Sequence, residues 1–278
     1  MLRGYREMAL PNPEKFINDA LAADPGACIR PAAGITEDLI GMPLFDAPIF
    51  GASAADDPLF VRLKAPDVVG PHHRLPTDWV SNAKSVVSFF LPFSDEVRRS
   101  NRGGDVPSMA WLYARIEGQA FLNELCHRMQ EYIRSEGHTA VFPSIHSEFS
   151  TVQSIAEDTF TSNWSERHAA YICGLGTFGL SKGLITEKGI AGRYASFITD
   201  IPFPVTPRKY EGVYDYCTRC GACVKNCPAN AISLDSGKAH IPCSAYLQVI
   251  GERFSPRYGC GKCQVDVPCE CGIPFFSR

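Results

Sequence analysis

The stretch Cys217-Thr218-Arg219-Cys220-Gly221-Ala222-Cys223-Val224-Lys225-Asn226-Cys227-Pro228 decides how the C-terminal part of this 278-residue chain folds. Its first three cysteines lie on one tight loop, which can wrap one face of an iron–sulfur cubane with three thiolates. Cys227 cannot reach the same cube, because Pro228 turns the chain away toward a helix. It is therefore expected to ligate a second cluster, and one such run predicts a second ligand set downstream. A lone Cys-x2-Cys pair would favour structural zinc, but this triple run ending in Cys-Pro does not suit one tetrahedral site.

The second set follows as Cys243, Cys260, Cys263, Cys269 and Cys271. The spacing allocates Cys217, Cys220, Cys223 and Cys269 to one [4Fe–4S] cluster, and Cys227, Cys243, Cys260 and Cys263 to the other. Regular spacing would put the last ligand at Val267. Cys269 is chosen as the nearer cysteine, with Cys271 as the alternative. Cys28, Cys126 and Cys173 are scattered upstream, and Cys173 reads as a buried core thiol. Such dense cysteine in a reducing compartment means metal or redox chemistry, not disulfides.

Composition is that of a soluble globular protein, with 45% hydrophobic and 21% charged residues. The net charge of −3 argues against a protein whose main task is gripping nucleic acid, tRNA included. Met1 to Phe16 is polar, broken by Pro11 and Pro13, and lacks the apolar stretch of an export signal. The run Val86 to Phe93 is too short to span a bilayer. The expectation is a cytoplasmic protein with no membrane association.

Upstream of the cysteines, Pro13–Ala23 has helical spacing, and residues 24–80 resist assignment. Ser85–Leu91 reads as a buried strand. Ser108–Glu136 reads as one long helix, with Leu122, Leu125, Met129, Tyr132 and Ile133 on one face and Gly137 at the C-terminal cap. Thr139–Phe142 reads as a short strand. Asn163–Cys173 reads as a second helix, capped by Asn163 with Glu166 at the capping-box position. Leu184–Thr186 and Ser196–Ile201 read as two strands of a hairpin turning at Glu187-Lys188-Gly189. Residues 202–216, with three prolines, make a linker. The expected class is α+β, with an α/β cofactor and substrate domain over residues 1–204. A ferredoxin-like domain with two [4Fe–4S] clusters follows over residues 205–278.

Gly174-Leu175-Gly176-Thr177-Phe178-Gly179 matches G-x-G-x-x-G by letters, but a helix precedes it and a hairpin follows. A dinucleotide site needs the reverse order. The glycines either shape turns or let a flat cofactor approach the backbone. His72 and His73 lie in an irregular loop, and no histidine pair has metal-binding spacing. Trp111 and Trp164 read as packing residues.

The segments Ala83-Lys84-Ser85-Val86-Val87, Ser165-Glu166-Arg167-His168-Ala169-Ala170 and Gly174 to Lys182, with the cysteine run, resemble the epoxyqueuosine reductase family. So do Cys243-Ser244-Ala245-Tyr246-Leu247 and Tyr258-Gly259-Cys260-Gly261-Lys262-Cys263-Gln264. The resemblance covers roughly residues 75–270. With its relatives the reductive dehalogenases, that family couples two [4Fe–4S] clusters to a cobalamin in a nitroreductase-like α/β domain. The clusters reduce the cobalt, and the cobalt performs the reduction. The resemblance implies that Gly174, Gly176, Thr177, Phe178, Gly179 and Lys182 lie against the corrin. It places Phe160 where the family has its catalytic aspartate, with Asp158 two residues away. The candidate proton donors are Asp158, Glu166, His168 and Tyr171. The implied activity is reduction of a small molecule, fed by a low-potential electron donor. The helical-repeat extension with which many members grip tRNA is not seen in this sequence. The competing expectations are a non-enzymatic electron carrier and epoxyqueuosine reduction in tRNA.

Overall fold

A computed structural model describes residues 11–154 and 156–275. The export-signal reading rests largely on residues 1–10, outside the described residues. The strands, in chain order, are β1 (Ile49–Ala54), β2 (Ser85–Pro92), β3 (Ala140–Val141), β4 (Thr151–Ser154), β5 (Thr159–Ser162), β6 (Gly176–Phe178), β7 (Leu184–Thr186), β8 (Gly192–Thr199), β9 (Ile232–Ser233) and β10 (Gly237–Lys238).

The central sheet has the order β1-β2-β8-β3, antiparallel throughout. Every residue of β2 is buried, because both faces of the sheet are covered. Val87, Phe89 and Leu91 face the long helix Met109–Ser135 and its Trp111, Leu122, Leu125 and Met129. Val86 packs on the other side with Trp164 and the helix Glu166–Ile172, and Phe90 packs there with Ala170 and Phe178. Each such aromatic or leucine side chain stabilises the fold by about 1.5–3 kcal/mol relative to exposure.

The local signals behave as expected at the long helix. Ser108 Oγ accepts the Trp111 N–H at 3.1 Å, and Gly137 takes the left-handed conformation, with φ +85°, just beyond its end. The helix Pro13–Ala23 is also present, capped by Asn12.

Three expectations are corrected. Leu184–Thr186 does not form a hairpin with the later strand. It pairs with β6, while β8 pairs with β2 and β3. Gly176 permits this, since a Cβ there would lie 1.9 Å from the Ile185 carbonyl oxygen. β8 is drawn into the sheet because burial of Ala195, Phe197 and Ile198 outweighs a local turn. Second, the helix starts at Glu166, not Asn163. Trp164 is buried against Phe60 and His73. Asn163 accepts the Ser150 N–H and donates to the Glu148 carbonyl, pinning the β4–β5 hairpin instead of capping. Third, residues 24–80 contain an edge strand, β1, and residues 202–216 bond to it: Thr206 N–H donates to the Ala52 carbonyl at 2.8 Å.

The cysteine-rich segment carries the β9–β10 hairpin and the helix His240–Phe254. It is fastened to the long helix and the loop before it. Glu117 accepts from Arg257 at 2.7 Å. The buried Lys262 Nζ donates to the carbonyls of Asn101 and Gly103 at 2.9 and 2.7 Å. The Asn101 amide donates to the Cys260 carbonyl at 2.9 Å. Gly261, at φ +72°, lets the loop approach Trp111 so closely that a Cβ would lie 1.9 Å from its ring.

Candidate functional site

The eight cysteines allocated from spacing fall into two groups in space. Cys217, Cys220, Cys223 and Cys269 line a small cavity of about 20 Å³ with Leu180, Ile190 and Val267. Burial pushes the Cys269 thiol up to about 12, and the neighbouring Cys223, Cys217 and Cys220 add to it. Cys227, Cys243, Cys260 and Cys263 line a second cavity of about 450 Å³. Burial pushes Cys260 up to about 12, with Cys263, Cys243 and Cys227 raising it further. Cys223 is also raised by Cys263, so the two groups adjoin. Cys271 is exposed and faces a different cleft beside Arg102 and Glu270.

Four crowded thiols resist ionising together unless a positive core lies between them, and an iron–sulfide cubane supplies one. The donor set therefore fits [4Fe–4S] clusters. Leu180, Ile190, Val267 and Pro268 give the first group an apolar wall, while Cys220 stays exposed. In the second group, the Ala231 N–H donates to Cys227 Sγ at 3.3 Å. Lys238 offsets the rise of the Cys263 thiol.

The larger cavity also reaches the central sheet. Its walls include Arg115 of the long helix, Glu166 and Arg167 at the start of the short helix, and Arg193 and Tyr194 of β8. Glu166 Oε2 accepts from Ser196 Oγ at 2.6 Å, and Ser196 Oγ in turn accepts from Trp164 Nε1 at 2.9 Å. Glu166 Oε1 has no partner. Burial pushes the Glu166 carboxyl up to about 8, against the lowering effects of Ser196 and Ser144. Burial also lowers Arg193 to about 9, with Arg115 nearby contributing.

The other expected proton donors lie elsewhere. Asp158, at φ +50°, accepts from the backbone N–H groups of Ile241 and His240, capping the helix that carries Cys243. Those bonds hold its carboxyl below the usual range, the Ile241 bond most of all. Phe160 stacks on His240 beside it. His168 is held neutral, lowered to about 3 by burial, and pairs with Ser165 Oγ at 2.7 Å. Tyr171 is raised by burial and donates to the Glu211 carbonyl. Of the four, only Glu166 lines the cavity that the second thiol group shares.

The glycine run is packed, not open. Thr177 is fully buried and accepts the Tyr216 N–H at 2.9 Å, and the Phe178 N–H donates to the Val213 carbonyl. Gly174, at φ +85°, abuts Thr206. Gly179 lines the first thiol cavity, and the Lys182 carbonyl accepts from Arg167. Arg115, Arg193, Ser196 and Lys238 were not legible as site residues. An arginine inside the apolar run of β8 was the one signal available.

A 4Fe-4S binding domain matches residues 210–233, which defines the class as an iron–sulfur protein. The epoxyqueuosine reductase of Aliivibrio fischeri is 32% identical over 117 residues, covering 37% of this chain and 30% of that protein. The tetrachloroethene reductive dehalogenase of Desulfitobacterium hafniense is 30% identical over 170 residues, covering 58% of this chain and 26% of that protein. The solved structure of a catabolic reductive dehalogenase aligns with a TM-score of 0.51 at 19% identity, covering 81% of this chain and 30% of that one. The chain is therefore similar to epoxyqueuosine reductases and reductive dehalogenases, and the aligned stretches span less than a third of those curated relatives. No helix among the described residues is long and apolar enough to cross a membrane.

Proposed function

We propose that this chain is an iron–sulfur oxidoreductase with two [4Fe–4S] clusters, in which the larger cavity takes a small-molecule substrate. The observation that carries this reading is the shared cavity: four thiols form one wall and Glu166 stands on another. Cys217, Cys220, Cys223 and Cys269 hold one cluster; Cys227, Cys243, Cys260 and Cys263 hold the other. Bound clusters supply one-electron transfer at low potential. The polypeptide does the rest. Glu166 holds a proton near neutral pH, oriented by Ser196. Residues 1–204 form a nitroreductase-like α/β domain, and residues 205–278 a ferredoxin-like one. A low-potential electron-transfer protein serves as donor, and the working compartment is the cytoplasm.

Cobalamin is the cofactor the reductive dehalogenase relatives suggest, but the residues here do not fit it. Thr177 and Phe178, assigned to the corrin by resemblance, are covered by residues 213–216. Pockets of roughly 300–1,000 Å³ hold one drug-sized ligand, and a corrinoid is far larger. The cavity of about 450 Å³ must also admit the second cluster. No step is assigned to cobalamin.

Anaerobic purification with iron, sulfide and zinc analysis and a visible spectrum tests the reading. The expected result is about eight irons and eight sulfides per chain. Zinc in place of iron would overturn it. Cobalamin added during reconstitution is expected to leave no corrin band after gel filtration. A solved epoxyqueuosine reductase is in complex with a modified tRNA stem loop, so turnover assays include tRNA beside small molecules. Cluster reduction without turnover of any substrate would make the chain an electron carrier.

A further inference from the structure

The two thiol groups enclose very different spaces, about 20 Å³ for the first and about 450 Å³ for the second. If each group holds one cluster, as proposed above, the second cavity has room beyond its cluster. The walls of that surplus are rich in cations. Arg115, Arg167, Arg193 and Lys238 all line it, and among the described residues none of the four is paired with a carboxylate. Arg115 is occupied, lying over the Tyr258 ring at 4.1 Å and donating to the Tyr258 carbonyl. Arg167 spends one nitrogen on the Lys182 carbonyl, and the rest of its guanidinium is free. Arg193 donates to the Arg115 carbonyl, while its Nε is buried without a partner.

A buried guanidinium nitrogen without an acceptor is costly, and an acceptor from a ligand would relieve it. Glu166 is the one acidic side chain on this wall. With its carboxyl pushed up to about 8 by burial, it is mostly protonated at neutral pH and adds no opposing charge. Its unpaired Oε1 then becomes a second point of attachment. Leu184, Ile190 and Leu247 supply apolar wall for the body of a ligand.

We infer that the space beside the second thiol group is a binding site for a small organic carboxylate, clamped by Arg167 and Arg193. This names the substrate class of the site under Proposed function and rests on that reading. Arginine suits the role because its planar fork meets both carboxylate oxygens.

The test titrates anaerobic, cluster-loaded protein with benzoate and with the neutral benzamide by calorimetry, and records electron paramagnetic resonance spectra of the dithionite-reduced protein. Benzoate is expected to bind at least about tenfold more tightly than benzamide, as a charge-assisted pair requires, and to perturb the signal of one cluster. Arg167→Gln is expected to weaken benzoate about ten- to a hundredfold at unchanged iron content, with Arg167→Lys intermediate. Equal affinity for the two probes, or no binding of either, at full iron content overturns the inference and leaves the cluster reading standing. So does an Arg167→Gln variant that shifts only the midpoint potential, because the cations then serve the cluster alone. Protein that lacks iron sinks the underlying reading instead.

Discussion

Replacing Glu166 by Gln should change how stability depends on pH. The fold keeps this carboxyl protonated up to about 8, whereas an unperturbed glutamic acid releases its proton near 4.5. Its folded value is raised, so its stabilising contribution is complete below the unfolded value and is lost as pH climbs through the folded one. One pH unit is worth 1.36 kcal/mol. The loss is therefore about 3 kcal/mol at pH 7, levelling off near about 5 kcal/mol above pH 8. Glu166 is only partly buried, and solvent screening reduces these figures. Set against a total stability of about 5–15 kcal/mol, the effect is still measurable. The variant has no proton to lose and keeps an acceptor for Ser196. Guanidinium unfolding of cluster-loaded parent and variant, run in parallel from pH 5 to 8, isolates this group, because His73 and His168 contribute equally to both. The variant should gain on the parent steadily with pH. Parallel curves would mean that Glu166 is ionised in the fold, and the proton-holding role would be wrong.

Cys269→Ser should lose about half the iron, while Cys271→Ser keeps it, read by metal analysis; the reverse result would exchange the two ligands. Gly261→Ala forces a Cβ toward Trp111 at a left-handed backbone position and should deplete the second cluster selectively, which spectroscopy of the reduced protein would show. Asp158→Ala uncaps the helix that carries Cys243 and should speed iron loss to a chelator; unchanged release would mean the cap is dispensable. His73 and His168 are held neutral by burial, at about 4 and about 3. Their lowered values mean stability falls as pH drops below about 6.5 toward 4, and a His73→Phe variant should flatten that fall in acid unfolding curves.

The long helix was legible because its cap, its periodic face and its terminal glycine all act within a few residues of one another. The grouping of the eight cysteines into two sets was legible for a similar reason, since closely spaced cysteines on one loop stay together in space. The edge strand β1 was not, because Gly51 and Ala52 carry little strand signal and acquire it only beside β2. The β7 pairing was misread because Gly176 matters through what approaches it, the Ile185 carbonyl, and not through its own conformation. Asp158 drew attention as an acid near the expected position; its backbone bonds to a helix more than 80 residues later had no local signature.

The amino-acid order alone determined the iron–sulfur character of the cysteine-rich segment, where a 4Fe-4S binding domain matches residues 210–233, because chelation by closely spaced residues is a local property. Only the tertiary structure decided which side chains stand opposite those sulfurs. Glu166 and Arg167 come from the short helix, Arg193 from β8 and Arg115 from the long helix, and the sheet register and the packing of the helices bring them to one wall. Such convergence depends on contacts between distant parts of the chain, so no short stretch of sequence encodes it.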